Sequence, residues 1–250
     1  MEKFKSFITE AKDEDYRIVV LSVEHGDNSI TAKRIKEEAY KLKLPHYVVS
    51  IDGTYISYDN GAYTIYTLDD DKGFEISPYD TVVFIRGTPT KDSSLDLVSE
   101  LEKIGICVVN SRETISTAAD KFRTYIKLKD YGLTQPKTVL VPNEDFLKTA
   151  VKNLDTKFPI IMKTLRGSKG VGVLFIESER ALTSIVQLMY KTDSNADLLI
   201  QEYIKTEFDV RAIVLDGQII ATMEREVVEG DFRSNVSQGA KVKSYKLTEL

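Results

Sequence analysis

The residues best suited to chemistry are a lysine and a glycine-rich loop: Lys163, then Gly167-Ser168-Lys169-Gly170-Val171-Gly172. Glycines let successive backbone N–H groups converge on one oxyanion, and the missing side chains let a phosphate come close. A lysine ammonium at the preceding strand end would neutralise phosphate charge. The loop lacks the Gly-Lys-Ser/Thr ending of a P-loop, and its glycines are not spaced as in the dinucleotide fingerprint. Two readings fit the segment by itself: a phosphate cradle, or a hairpin loop that needs glycine for its turns.

Other candidates lie on either side. Lys121, in Asp120-Lys121-Phe122-Arg123, sits early in a helix. Gln201-Glu202-Tyr203-Ile204 follows the apolar strand Leu198-Leu199-Ile200 and can offer backbone groups to an adenine edge, with Tyr203 and Ile204 as apolar walls; an ordinary strand end reads the same way. Asp209 and Arg211 are two apart in a strand and so share a face. They suit either a site or an exposed ion pair. Arg225, Asp231-Phe232-Arg233-Ser234-Asn235 and Gly239 make a cationic, polar stretch whose arginine forks suit phosphate or carboxylate; a solvated loop is the alternative.

Several classes are excluded or disfavoured. The histidines, His25 and His46, lie in polar or turn surroundings without metal-ligand spacing. No Gly-x-Ser-x-Gly elbow occurs. A single cysteine, Cys107, forms no intramolecular disulfide and reads as a core thiol rather than a nucleophile. A net charge of -5 argues against nucleic acid as a direct partner. No segment has the length and apolarity of a signal peptide or bilayer span, so the expected location is cytoplasmic, away from a membrane. With 42% hydrophobic and 29% charged residues, the 250-residue chain has the composition of a globular protein.

The elements that must position these residues follow from periodicity. Buried strands are expected at Tyr16–Val23, Tyr47–Ile51, Thr81–Ile85 and Ile106–Val109. Helices lie between them, one carrying Ile30, Ala32, Ile35, Ala39 and Leu42, another Leu95, Val98, Leu101 and Ile104 before the stop at Gly105. A hairpin turns at Asn60-Gly61, and the acidic run Asp69-Asp70-Asp71 reads as a solvated turn. Strands alternating with helices imply a mainly parallel, doubly wound sheet to about residue 110. Beyond it, one helix is expected over about Ser116–Asp130. Short strands follow at Lys137–Val141, Pro159–Lys163 and Val173–Ile176, then a helix over Ser178–Met189. A strand Leu198–Gln201, a hairpin Val210–Leu215/Gln218–Met223 around Asp216-Gly217, and a strand near Val242–Tyr245 complete the chain.

In this order the segments resemble the RimK-like branch of the ATP-grasp ligases, from about Tyr16 to the last residue. The most specific matches are Gln201-Glu202-Tyr203-Ile204-Lys205, Asp209-Val210-Arg211 and Glu229-Gly230-Asp231-Phe232-Arg233-Ser234-Asn235; Arg86-Gly87-Thr88 matches more loosely. The resemblance implies an α/β ATP-grasp fold with an N-terminal doubly wound (pre-ATP-grasp) domain at 1–110. A central subdomain with the glycine-rich lid would span 111–197, and an incomplete C-terminal subdomain 198–250. It implies ATP and Mg2+ as cofactors and amide formation through an acyl phosphate. An amino acid such as glutamate would be added to a protein or peptide acceptor, of which a ribosomal protein is one example. It also implies self-association.

By the same resemblance Lys121, Lys163 and the lid residues Gly167, Ser168, Gly170 and Gly172 contact ATP phosphates. Glu202, Tyr203 and Ile204 hold adenine, and Asp209 lies on the ribose side. Arg211, Arg233, Ser234 and Asn235 surround the triphosphate and reacting carboxylate. Lys163, Arg211 and Arg233 are the catalytic candidates. The family's magnesium ligands, an aspartate and a Glu-x-Asn pair, correspond to strands after Leu250, so this chain supplies no metal ligand and reads as truncated at its C-terminal part. The alternative function is a non-catalytic ATP- or ADP-binding module.

Overall fold

Four apolar-rich stretches alternate with amphipathic helices at the N-terminal end, and a computed structural model shows where they go. It describes residues 16–24, 29–68, 70–89, 91–167, 172–194, 196–227, 232, 234 and 239–247. The chain divides into two compact units, Met1–Ala119 and Asp120–Leu250.

In the first unit, β1 (Arg17–Ser22) lies between β2 (His46–Ser50) and β6 (Thr81–Arg86), with β7 (Cys107–Val109) beyond β6, all parallel. Central parallel strands are covered on both faces, which is why Val19, Val20 and Leu21 are consecutive and all buried. Helix α1 (Ile30–Lys41) starts at Ser29, whose hydroxyl accepts from Ala32 N–H at 3.3 Å. It buries Ala32 and Ala39, whereas Ile30 and Leu42 are exposed. Ile30 precedes Ala32 by two positions, about 200° around the helix, and Leu42 is the C-cap, so neither joins the buried stripe. Helix α2 (Asp92–Lys103) buries Leu95, Leu97, Val98 and Leu101, and the chain leaves it through Gly105 at φ +90°.

Strands β3 (Thr54–Asp59) and β4 (Ala62–Thr67) form the Asn60-Gly61 hairpin, with both turn residues at positive φ. The solvated turn read at the acidic run is corrected: Asp70 and Asp71 begin a third strand, β5 (Asp70–Ile76), paired with β4, while Asp69 lies outside the described residues. Phe74 and Ile76 anchor that strand at alternate positions. Its charged start lies on a sheet edge, where charge discourages pairing with other chains.

The single helix expected over Ser116–Asp130 is also corrected. It is two helices, α3 (Arg112–Ala119) and α4 (Lys121–Asp130), separated by Asp120 in an extended conformation. The Asp120 carboxylate accepts from Phe122 and Arg123 N–H, both at 2.9 Å. A strong N-cap thus interrupts an otherwise helical pattern.

In the second unit, β8 (Thr138–Val141), β9 (Ile160–Thr164), β10 (Val173–Ile176) and β11 (Leu198–Glu202) form an antiparallel sheet in the order β10-β9-β11-β8. Helices α5 (Leu147–Leu154) and α6 (Glu179–Thr192) supply Leu147, Ala150, Leu154, Leu182 and Val186 to a core with Ile160, Met162, Leu198 and Ile200. A separate sheet holds β12 (Phe208–Leu215), β13 (Gln218–Glu226) and β14 (Val242–Ser244). Its hairpin turns through Asp216 and Gly217, and a bulge lies between Ile213 and Val214.

Candidate functional site

Alternation along β9 sends Ile160 and Met162 into the helix-covered core and leaves Ile161 and Lys163 on the other face. Lys163 pairs in register with Leu199 of β11, so Gln201, two residues on, shares its face. Lys163 Nζ donates to Gln201 Oε1 at 2.5 Å. Gln201 Nε2 donates to Thr138 Oγ1 at 2.7 Å, and that hydroxyl donates to Pro136 O at 2.9 Å. A chain of neutral groups therefore holds the ammonium. Burial pushes the Lys163 pKa down, and the nearby charge of Lys121 pushes it further.

Lys121 is the first residue of α4, a place set by the Asp120 cap. Its backbone N–H donates to Leu165 O at 3.1 Å. Its Nζ reaches Thr164 O at 2.9 Å, Leu165 O at 3.3 Å and Gly167 O at 3.4 Å. Burial lowers this pKa as well, opposed by the Asp120 charge. Lys121 thus ties down the entrance to the glycine-rich loop with its three ammonium donors. Gly167 has φ +133° and Gly172 φ +76°; a Cβ at Gly172 would collide with the Thr164 hydroxyl. Thr164 N–H donates to Gly172 O at 3.0 Å, so the loop opens and closes on one pair of residues. Ser168 and Gly170 lie outside the described residues.

At the end of β11, Glu202 makes a reciprocal contact with Lys137: its Oε1 accepts from Lys137 N–H at 2.7 Å, and its own N–H donates to Lys137 O at 2.9 Å. The carboxylate is thus spent on holding the strand end. Tyr203 packs edge-on against Phe175 with ring centroids 5.0 Å apart, and Phe175 stacks on Phe232 at 5.5 Å. Ile204 is 57% exposed. An apolar aromatic wall therefore stands beside the backbone of residues 202–204, on the side of the sheet that carries Lys163.

Asp209 and Arg211 do share a face of β12, but the ion pair formed there is a different one. Asp209 lies opposite Arg225 of β13 and accepts two hydrogen bonds from its guanidinium, both at 2.7 Å, plus one from the Ser234 hydroxyl. Directly opposite residues on antiparallel strands approach more closely than residues two apart on one strand. The fork of Arg225, a phosphate or carboxylate binder by type, is occupied by Asp209. Burial raises the Asp209 pKa, but the hydrogen bonds from Arg225 and Ser234 and the charges of Arg225 and Arg211 outweigh it, leaving the carboxyl below its ordinary value. Arg211 is exposed. Arg233 and Asn235 lie outside the described residues.

The structure therefore brings together Lys121, Lys163 and Gly172 on one side, and Asp209, Ser234 and Arg225 on another. Gln201 belongs to the first group; the sequence points to the backbone of its Gln201–Ile204 stretch, and the signal for its side chain is the register of β9 on β11. Among the described residues, no group of three or more His, Cys, Asp or Glu could hold a metal ion. Cys107 is free and half-buried, with its pKa raised by burial. Among the described residues, no helix is long and apolar enough to cross a membrane.

Comparison with known proteins adds an independent line. Residues 118–250 match the model of the RimK-like ATP-grasp domain. A protein of Coxiella burnetii named "Probable alpha-L-glutamate ligase" is 30% identical over 234 residues, 93% of this chain and 75% of that one. Among solved structures, a RimK domain ATP-grasp protein from Sphaerobacter thermophilus superposes with a TM-score of 0.62 at 18% identity, covering 88% of this chain and 77% of the other. The ATP-grasp ligase PsnB, complexed with a phosphomimetic variant of its minimal precursor, Mg and ADP, superposes at 0.65 with 16% identity, covering 94% and 79%.

Proposed function

Since the chain belongs to the RimK-like ATP-grasp family, we propose that it binds ATP between the glycine-rich loop and the residue 202–204 hinge and uses it to join a carboxylate to an amine. The observation that carries the reading is the pair Lys163 and Lys121. Two partly buried ammonium groups, close enough for one to depress the other's pKa, are held by neutral oxygens rather than carboxylates. Such a pair is costly without an anion. A polyphosphate would supply one.

The reaction proceeds in two balanced steps. A carboxylate oxygen attacks the γ-phosphorus of ATP, the bond to the β-phosphate oxygen breaks, and ADP leaves with an acyl phosphate formed. An amine nitrogen then attacks the acyl carbon, phosphate leaves, and the nitrogen loses a proton. The protein's part is positioning and electrostatic stabilisation. Lys163 and Lys121 answer phosphate charge, backbone groups of residues 202–204 meet adenine, and Asp209, with Ser234 bonded to it, serves the ribose side. Arg211 answers charge on the transferring group; Arg233, which the family resemblance assigns to the same role, lies outside the described residues. Gly167 and Gly172, the described ends of the glycine-rich loop, lie on the phosphate side of this site, and exclusion of water there protects the acyl phosphate from hydrolysis.

Among the described residues no cluster of three or more His, Cys, Asp or Glu stands at the site, and Asp209 is committed to Arg225 and Ser234; magnesium bound with ATP would take its remaining ligands from phosphate and water. The added unit is an amino acid such as glutamate, and the acceptor a protein or peptide. The decisive experiment is calorimetric titration of ATP into the wild type and Lys163→Met, followed by an ADP-release assay with glutamate and acidic peptides. Loss of binding in the variant is expected. Unchanged affinity would remove the basis of the reading, and binding without ADP release would leave a nucleotide-binding module.

A further inference from the structure

The parallel sheet of the first unit ends in a polar row. The last residues of β2, β1 and β6 are Ser50, Ser22 and Arg86, and they are register partners across adjacent strands. Paired positions on neighbouring strands point to the same face, and strands are about 4.8 Å apart, so the row is about 10 Å wide. The Ser22 residue is only 1% exposed. The Ser22 and Ser50 hydroxyls and Arg86 Nε are buried, and none has a hydrogen-bond partner. Among the described residues, no carboxylate pairs with Arg86.

Buried polar atoms are almost always satisfied, so three orphans in one row call for a cause. By alternation the row continues the face that carries Ile18 and Phe84, which α1 covers with Ile35 and Ala39. Because β1 and β2 are parallel, α1 runs back against them, and its first turn lies at the end of the sheet where the row is. Its dipole adds positive potential there. The row is also the carboxyl edge of a doubly wound sheet, where such folds place ligands. The end of β6 is fixed: Val23 N–H donates to Arg86 O at 2.9 Å, and Gly87, at φ +83°, packs where a Cβ would meet Val23 at 2.9 Å. The nearest acid beyond β2, Asp52, is occupied by Lys91 at 2.9 Å and Ser94 at 2.8 Å.

We propose that Arg86, Ser22 and Ser50 form a carboxylate-binding site, taking one carboxylate of an amino acid or peptide. One cation and two neutral hydroxyl donors match a single negative charge; a phosphate dianion would leave one charge unanswered. The ligase reading enters only in naming this ligand a substrate, and the site does not depend on Lys163.

The test is titration of the full chain, without nucleotide, with L-glutamate and separately with inorganic phosphate. It is followed by calorimetry and by the arginine Nε–H resonance of Arg86, assigned by its loss in Arg86→Lys. L-Glutamate is expected to shift that resonance saturably. Arg86→Lys keeps the charge but loses the planar fork, and should weaken binding about tenfold. Ser22→Ala should weaken it severalfold while leaving the melting temperature of the free protein unchanged or higher, since it removes an unpartnered buried hydroxyl. Equal glutamate affinity in the wild type, Ser22→Ala and Ser50→Ala would overturn the assignment even if Arg86→Lys failed to fold. So would absence of any shift with L-glutamate, or a shift with phosphate alone. Failure of ATP to bind while glutamate still moves the Arg86 resonance would sink the nucleotide reading and leave this site standing.

Discussion

Replacing Gln201 by glutamate separates the charge of Lys163 from its position. The substitution keeps the size of the side chain and its acceptor 2.5 Å from Lys163 Nζ but makes that acceptor an anion. It also replaces the Nε2 donor to Thr138 by an oxygen, so the Thr138 hydroxyl must turn from Pro136 O to donate to it. An ammonium–phosphate hydrogen bond is about 2.8 Å long, so a bound phosphate oxygen would lie at most about 5.3 Å from the new carboxylate. At an effective dielectric constant of about 20, that separation gives about 3 kcal/mol of repulsion per unit charge. ATP affinity should therefore fall roughly 100-fold. The nucleotide-free protein should respond in the opposite direction, because a counter-ion raises the depressed pKa of Lys163 and relieves an unpaired, partly buried charge. Gln201→Met is the control. It loses the hydrogen bonds to Lys163 and Thr138, costs about 1–3 kcal/mol, and destabilises the free protein. Calorimetric titration with ATP and thermal melting without it read both quantities. Wild-type affinity in Gln201→Glu, or a free protein that melts lower than Gln201→Met, would refute the reasoning.

Three further outcomes follow from the same geometry. Asp120→Ala removes the acceptor of two N–H groups and should cost about 1 kcal/mol in urea denaturation, with weakened ATP binding because Lys121 opens the capped helix. The folded pKa of Lys163 is below its unfolded value of 10.5, so between the two the unfolded chain holds more protons and stability rises with pH. Lys163→Met should reduce that rise in urea midpoints measured towards pH 10.5, leaving the part due to Lys121. Asp209 gives a rise of the same sign at the acid end. Its folded pKa is depressed, so its pairing stabilises above 3.8 and is lost as pH falls through the folded value; Asp209→Asn should flatten the acid limb of the stability curve.

How far the fold can be read from the chain depends on how much of the signal is local. Val19-Val20-Leu21 announces a strand because a central parallel strand must be apolar on both faces. Strand β5 hides because its first residues, Asp70 and Asp71, belong to an edge and carry charge where apolar alternation would be sought. The break at Asp120 hides for a different reason. Residues on both sides keep helical spacing, and only the aspartate, a residue tolerated inside helices, marks the new start. Lys163 and Lys121 are recognisable one by one as cations near a glycine loop. Their support is not, since Gln201 stands 38 residues from Lys163 and meets it only through the pairing of β9 with β11.

The arginine side of the site shows how little can separate two electrostatic outcomes. From the Asp216-Gly217 turn, β12 and β13 pair Leu215 with Gln218 and Val214 with Ile219. Continued without interruption, that register sets Asp209 opposite Glu224, two carboxylates face to face, which is destabilising. The bulge between Ile213 and Val214 advances the partner by one residue, so that Asp209 meets Arg225 and Glu224 meets Val210. It also turns the side chains of one strand over relative to the other, since the side-chain period is two. Glu224, on the opposite face, is then free to pair with Lys243 of β14 at 2.9 Å. Hairpin signals in the sequence locate the turn but not the bulge. One inserted residue is what converts the Asp209 position from a repulsive contact into the bidentate pair that orders Ser234 beside it.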